Sequence, residues 1–150
     1  IPIWESFYFY WIHRFLHIPF LYKHVHALHH RNINVGPWSG LSMHPVEHVI
    51  FLGSVMIHWI IAAHPVHILF HLQYYALTAA TTHTGFEGVS IKDENRLVLG
   101  RFHHQMHHRY FECNYGSLEI PWDKFFGSFH DGTNEADKRM KERRKRMMGA

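Results

Sequence analysis

A chain of 150 residues with a formal net charge of +3 is long enough for one core of its own, and its single cysteine, Cys113, excludes an internal disulfide and a cysteine-rich zinc or iron-sulfur site. Eighteen histidines dominate its polar residues. They pull the mean hydropathy down to -0.22, so that average conceals long apolar stretches.

In chain order, residues 4–16 read as an aromatic-rich helix that carries His13 and His17 one turn apart near its end. Because the chain enters directly into this segment with Ile1, further sequence upstream is expected. Pro19 suits the first turn of a helix, so residues 19–30 predict a second helix with His26, His29 and His30 on one face. The stretch RNINVGPWSGLSMHP is rich in turn formers and reads as a loop, after which Pro45 opens an apolar segment.

Between Glu47 and Glu87 there is no Asp, Glu, Lys or Arg. Pro65 divides this run into residues 48–63, a helix of about 24 Å, and residues 65–84, a helix of about 30 Å, which together predict a short transmembrane hairpin. A buried helical hairpin in a soluble bundle is the other reading. His58, His64, His67 and His71 lie within the run, and packing or interfacial roles are expected of each.

Gly85 and Gly88 are expected to end the second arm, and the chain turns polar through SIKDENR. A second histidine helix follows in GRFHHQMHHRYFE, where His104, His107 and His108 repeat the earlier spacing and His103 stands beside them. Residues 122–129 read as a short amphipathic piece. A charged helix over Asn134–Met148 then sets Lys138, Arg139, Lys141, Arg143, Arg144, Lys145 and Arg146 against Glu135, Asp137 and Glu142. A solvated face or a cytoplasmic, membrane-surface anchor fits this tail, and nothing elsewhere supports nucleic-acid binding. Residues 1–150 are read as a single domain, with 134–150 as its basic tail.

Spacings of three and four residues place side chains on one helix face, so each group can aim several imidazoles at one point. Neutral imidazole ligates iron, zinc, copper and nickel, and two near-copies of HxxHH point to a bound metal centre of more than one ion. Two crossings return a chain to its starting side. All three groups can therefore meet on one face just outside the bilayer, where His83 also emerges. The fold expected is all-α, an integral membrane helical protein with a transmembrane hairpin and a cytoplasmic histidine-rich cap.

HRFLH, HALHH and HQMHH, with the hairpin between the second and third, resemble the three histidine boxes of the fatty acid hydroxylase and sterol desaturase superfamily. SMHPVEH, HTG, NYG and WDKFFGSF resemble its sterol desaturase-like branch. The resemblance implies a membrane-bound oxygenase with two non-haem irons, for which zinc can substitute in a purified sample. By position it implies His13 and His17 as ligands from the first box, His26, His29 and His30 from the second, and His104, His107 and His108 from the third. His83 matches a further ligand in the HTG-like segment. His103, His44 and His48 are expected to play structural or supporting roles.

The implied reaction uses dioxygen and electrons to hydroxylate or desaturate a lipid, whether sterol-like, hopanoid-like, fatty acyl or carotenoid. Tyr74, Tyr75, Phe70 and Trp59 are candidates to line the lipid's path. With no flavin, haem or iron-sulfur motif in the chain, an external donor is implied, a cytochrome b5-like protein or a ferredoxin with its reductase, and the basic tail offers it a landing site. A membrane-complex partner or a second copy of the chain is also allowed. Two other functions stay open: a non-catalytic metal-binding membrane subunit that keeps the boxes, and a haem protein. A zinc hydrolase is disfavoured by the absence of HExxH.

Overall fold

The computed structural model describes residues 1–84, 89–91, 95–97, 102–117 and 119–148. Helix α1 spans Pro2–Leu16, with Pro2 in its first turn, where a missing N–H costs nothing, and Glu5 placed favourably for the helix dipole. Pro19 forces Ile18 into an extended conformation, ends the helix and opens α2, Pro19–His24. The predicted helix over residues 19–30 breaks at Val25. From there a 3-10 helix, His26–Arg31, carries the second histidine group.

The loop that follows holds a second 3-10 helix, Pro37–Leu41, packed against α4. Helices α3, Pro45–Leu52, and α4, Pro65–Thr82, begin with the same His-Pro-Val triplet. In each the histidine, His44 or His64, accepts the backbone N–H two residues on, and the proline sits in the first turn.

The expected first arm of a hairpin over residues 48–63 is not one helix. After Leu52 the chain tightens into a 3-10 helix, Gly53–Trp59, and leaves helical structure before His64. Two aromatic side chains of α1 supply the reason: Trp4 Nε1 donates to Ser54 O at 2.9 Å and the Tyr8 hydroxyl to Ile50 O at 2.7 Å, occupying carbonyls that an uninterrupted helix would use. The second arm does form, as the 18-residue α4. No helix among the described residues is long and apolar enough to cross a membrane.

Gly85 and Gly88, expected to stop the second arm, lie outside the described residues, as do parts of SIKDENR and the side chains of Arg143, Arg144, Lys145 and Arg146. Among the described residues the regular structure is helical apart from a short antiparallel ribbon of β1, Val89–Ile91, and β2, Asn95–Leu97, where a polar connection was expected; Val89 pairs with Leu97 and Ile91 with Asn95. Helix α5 spans Phe102–Tyr110, α6 is the short Trp122–Phe125, and α7 runs over the predicted Asn134–Met148.

The apolar core is small: Leu16, Phe51 and Tyr75 are buried, with Phe9, Ile12, Val25, Met43 and Ile50 against them. Most of the remaining interior is polar. Large apolar side chains instead face outward, with Trp59 82 %, Ile60 83 % and Val49 71 % exposed.

Candidate metal centre

The C-terminal turn of α1, the 3-10 helix after α2, the end of α4 and helix α5 meet around two adjoining sets of imidazoles. His13, His17, His26, His30 and His107 form one set and His29, His83, His104 and His108 the other, with the ligating nitrogens in each lying within 4.8 Å of one another. All nine histidines singled out in the sequence are thus brought together. They do not converge box by box. In the second box His26 and His30 join the set of five while His29 joins the set of four; in the third, His104 and His108 join the four while His107 joins the five. The pair spaced by four residues goes one way and the middle histidine the other. The two sets touch: the His30 and His108 rings lie 4.7 Å apart and those of His104 and His107 5.3 Å.

Backbone carbonyls fix four of the tautomers, because a carbonyl only accepts and the facing Nδ1 must carry the proton. His13 Nδ1 donates to Tyr115 O at 2.6 Å, His107 Nδ1 to Cys113 O at 2.6 Å, His83 Nδ1 to Ala79 O at 2.7 Å and His29 Nδ1 to Ser42 O at 3.3 Å. His26 Nδ1 meets the Glu47 carboxylate at 2.7 Å. In the neutral rings Nε2 is then a bare lone pair. Yet His83 Nε2 lies 3.1 Å from His29 Nε2 and 3.0 Å from His104 Nε2, and His107 Nε2 lies 3.1 Å from His30 Nε2. The His13 Nε2 atom is buried with no partner at all.

Burial holds these rings in the ligating, neutral form. It depresses His13, His17 and His29 to about 3, 2 and 3, and lowers His26, His30, His104, His107 and His108 strongly as well, neighbouring imidazoles adding to the effect in every ring.

Facing lone pairs repel unless a cation lies between them. Metal–imidazole bonds of about 2.0–2.1 Å set the edges of a four- to six-coordinate shell at roughly 2.8–3.4 Å, a range that contains the 3.0–3.1 Å nitrogen separations above. The outward nitrogens donate to carbonyls and to a carboxylate, as metal-bound imidazoles do. The donor set therefore fits metal ions of the kind imidazole prefers.

One loop orients two of the rings. Residues 111–117 present the carbonyls of Cys113 and Tyr115, and Phe111 and Asn114 adopt positive φ there. Asp123 of α6 accepts from Tyr115 N at 2.9 Å, Gly116 N at 2.8 Å and Ser128 Oγ at 2.6 Å, and pairs with His103 at 3.3 Å. Burial alone would raise this carboxyl, but the bonds from His103, Ser128 and Gly116 outweigh it and hold it below the usual range. His103 thus belongs to neither set and braces the loop. His48 bonds Leu41 O, and His67 is exposed.

A small cavity of about 40 Å³ opens on the imidazoles of His13, His26, His29, His83 and His104 and is walled by Phe9, Met43, Phe51 and Thr78. Of the four residues expected along a lipid path, Tyr74 and Tyr75 line it; Phe70 and Trp59 do not, and face outward instead. Sequence reasoning missed Glu47, Asp123 and the carbonyl acceptors. The signal for Glu47 was present, a lone carboxylate at the edge of an uncharged run, whereas a backbone carbonyl leaves no trace in residue identity.

The sequence profile described as "Fatty acid hydroxylase" matches residues 1–128. The chain belongs to the fatty acid hydroxylase family. It is similar to a Delta(7)-sterol 5(6)-desaturase of Gibberella zeae, 32% identical over 130 residues, covering 85% of this chain and 40% of that protein. A lathosterol oxidase of Rattus norvegicus is 35% identical over 128 residues, 80% of this chain and 40% of the relative. A putative Delta(7)-sterol-C5(6)-desaturase of Arabidopsis thaliana is 33% identical over 127 residues, covering 82% and 44%. This member of the fatty acid hydroxylase family therefore spans less than half the length of these curated relatives. No solved structure matches it.

Proposed function

We propose that this chain is the metal-binding part of a membrane-associated oxygenase that uses dioxygen and externally supplied electrons to hydroxylate or desaturate a lipid C–H bond. The observation that carries the reading is the pair of convergent imidazole sets whose Nε2 lone pairs face one another beside an apolar-walled cavity. His13, His17, His26, His30 and His107 would hold one iron, and His29, His83, His104 and His108 the other. When bound, the two irons supply reductive activation of dioxygen.

The chain's own residues do the positioning. Carbonyls of residues 42, 79, 113 and 115 hold the rings, Phe9, Met43, Phe51 and Tyr75 exclude water, and the apolar wall of the cavity suits an apolar substrate. The names of the relatives favour a sterol-like lipid over a fatty acyl chain or carotenoid. The outward apolar side chains of α3, α4 and the intervening 3-10 helix favour contact with the bilayer, with α4 as its most deeply inserted element and the imidazoles and basic tail on the cytoplasmic side. Electrons would come from a cytochrome b5-like protein or a ferredoxin.

The haem alternative is not favoured by the geometry. Within the set of five, contacting ring centroids lie 4.2–5.3 Å apart, leaving no slot for a macrocycle. The test is anaerobic loading of the full chain with ferrous iron, followed by reductant, dioxygen and lipid extract. Two irons per chain and an oxygenated or newly unsaturated lipid are expected; tight binding of two metals without any lipid product would leave a non-catalytic subunit.

A further inference from the structure

We propose that the half-buried edge formed by Tyr22 and Phe111 is the docking place of an acidic one-electron carrier protein, an inference that rests on the oxygenase reading above and says where its electrons enter. Helix α5 ends at Tyr110, and Phe111 turns the chain with φ at 67°, in the left-handed region that glycine adopts freely and a bulky residue rarely does. Glycine would make the same turn without strain, so it is the ring that the position keeps. That ring lies against His30, with centroids 5.0 Å apart and planes at 35°, and His30 in turn lies 4.7 Å from His108 at 32°. His30 belongs to the set of five and His108 to the set of four, so a file of three rings runs from the surface to both sets.

This edge is separate from the cavity. The Tyr22 ring lies 6.0 Å from that of Phe111 and 5.4 and 5.5 Å from those of His17 and His30. Phe111, Tyr22 and His17 are half-buried, whereas the other eight imidazoles of the two sets are buried, so the sets come closest to solvent here. None of Tyr22, Phe111, His17 and His30 lines the cavity, which opens on His13, His26, His29, His83 and His104 instead. A protein seated on the edge therefore leaves the lipid's side free.

Charge selects the partner. Lys23, Arg31 and Arg109 are exposed and stand beside Tyr22, beside His30 and two residues before Phe111. Lys141 of α7 borders the same cleft as Tyr110 and Glu112. Against these cations stand the exposed Glu112 and Glu142, while Asp137 in that cleft is already paired with His130. The balance is positive and attracts a carboxylate-rich face, and an aromatic centre within a charged rim is the usual anatomy of a protein contact. In the complex the carrier loses one electron and is oxidised, the metal held by the imidazoles gains it, and no bond forms or breaks.

Binding is tested on the full chain loaded with zinc, which undergoes no redox change. Titration calorimetry with the soluble haem domain of cytochrome b5 and, separately, with a ferredoxin is expected to show that at least one of them binds, and that it binds more weakly as salt is raised. Lys23→Glu and Arg31→Glu are each expected to weaken binding about tenfold, the same reversal at Lys124 of α6 to leave it within about twofold, and Phe111→Gly, which keeps the turn, to weaken it at least about tenfold. In the iron-loaded chain without dioxygen, the absorbance of the reduced carrier follows its oxidation. Lys23→Glu and Arg31→Glu are expected to slow that oxidation about tenfold, while reduction through a small uncharged mediator keeps its wild-type rate. Failure of both carriers to bind would overturn the proposal, as would binding unmoved by the two reversals or an equal slowing with the mediator. If Phe111→Gly sheds metal, the two reversals decide alone. If a carrier binds and is oxidised at this edge but no lipid is converted, the oxygenase reading fails and the docking edge stands.

Discussion

His83 Nε2 lies 3.1 Å from His29 Nε2 although each ring has already committed its proton, through Nδ1, to a backbone carbonyl. Two bare lone pairs at that distance repel, and a cation between them converts the repulsion into coordination. Metal removal is therefore expected to destabilise the fold. At a free metal concentration one hundred times the dissociation constant, each site stabilises by about 2.7 kcal/mol, so chelation lowers the melting temperature and two equivalents of ferrous iron or zinc restore it. Calorimetric melting with metal analysis reads both.

The two sets predict separable lesions. His83→Ala removes a ligand from the set of four and His107→Ala one from the set of five. Each variant is expected to bind one metal tightly instead of two and to lose at least about 100-fold in turnover, whereas Glu47→Gln, which meets the His26 ring from outside the set, is expected to weaken metal affinity by about 10- to 100-fold. Metal titration of the three variants distinguishes these outcomes.

Gly40 sits where the 3-10 helix Pro37–Leu41 crosses α4, and a Cβ there would collide with Ala79 O and lie 2.8 Å from His83 Nδ1. Gly40→Ala is expected to destabilise the chain by about 1–3 kcal/mol through overpacking. It also pushes apart the hydrogen bond that orients His83. A urea titration combined with the metal content of the purified variant tests both effects.

Asp123→Ala removes the acceptor shared by Tyr115 N, Gly116 N, Ser128 and His103. Breaking so buried a charged network is expected to cost about 3–5 kcal/mol. Because the loop it braces orients His13 and His107, metal is expected to leave the set of five before the set of four. Urea denaturation with site-resolved metal spectroscopy checks the order.

Acid acts on the metal-free chain in a defined direction. His13, His17 and His29 are depressed to about 3, 2 and 3, so below the ordinary histidine value near 6.5 the unfolded chain binds protons that the folded chain refuses. The contribution of these rings is therefore flat above about pH 6.5 and falls as pH drops below it, by roughly 1.4 kcal/mol per pH unit for each ring kept neutral. Denaturant midpoints between pH 7.5 and 5.5 are expected to fall in that sense and to move less when metal is bound.

The nine imidazoles were legible in the sequence because ligand chemistry is written in residue type, and α7 was legible because its charges and ends are local. The split of each box between two sets was not. Spacing reports that His26 and His30 share a face, but the side to which His29 turns depends on the 3-10 geometry after Val25 and on the distant Ser42 carbonyl. The break after Leu52 was hidden for a similar reason: it is imposed by Trp4 and Tyr8, more than forty residues away. The ribbon of β1 and β2 was missed because three-residue strands carry too little alternation to register.

The crossed allotment of the second and third boxes ties the two imidazole sets to shared stretches of backbone. Adding or deleting one residue within α5 would turn the helix by about 100° and misdirect His104, His107 and His108 at once. α1 serves the set of five alone and the end of α4 the set of four alone, whereas the other two segments that supply imidazoles answer to both, so a change of register in either of those disturbs both sets together.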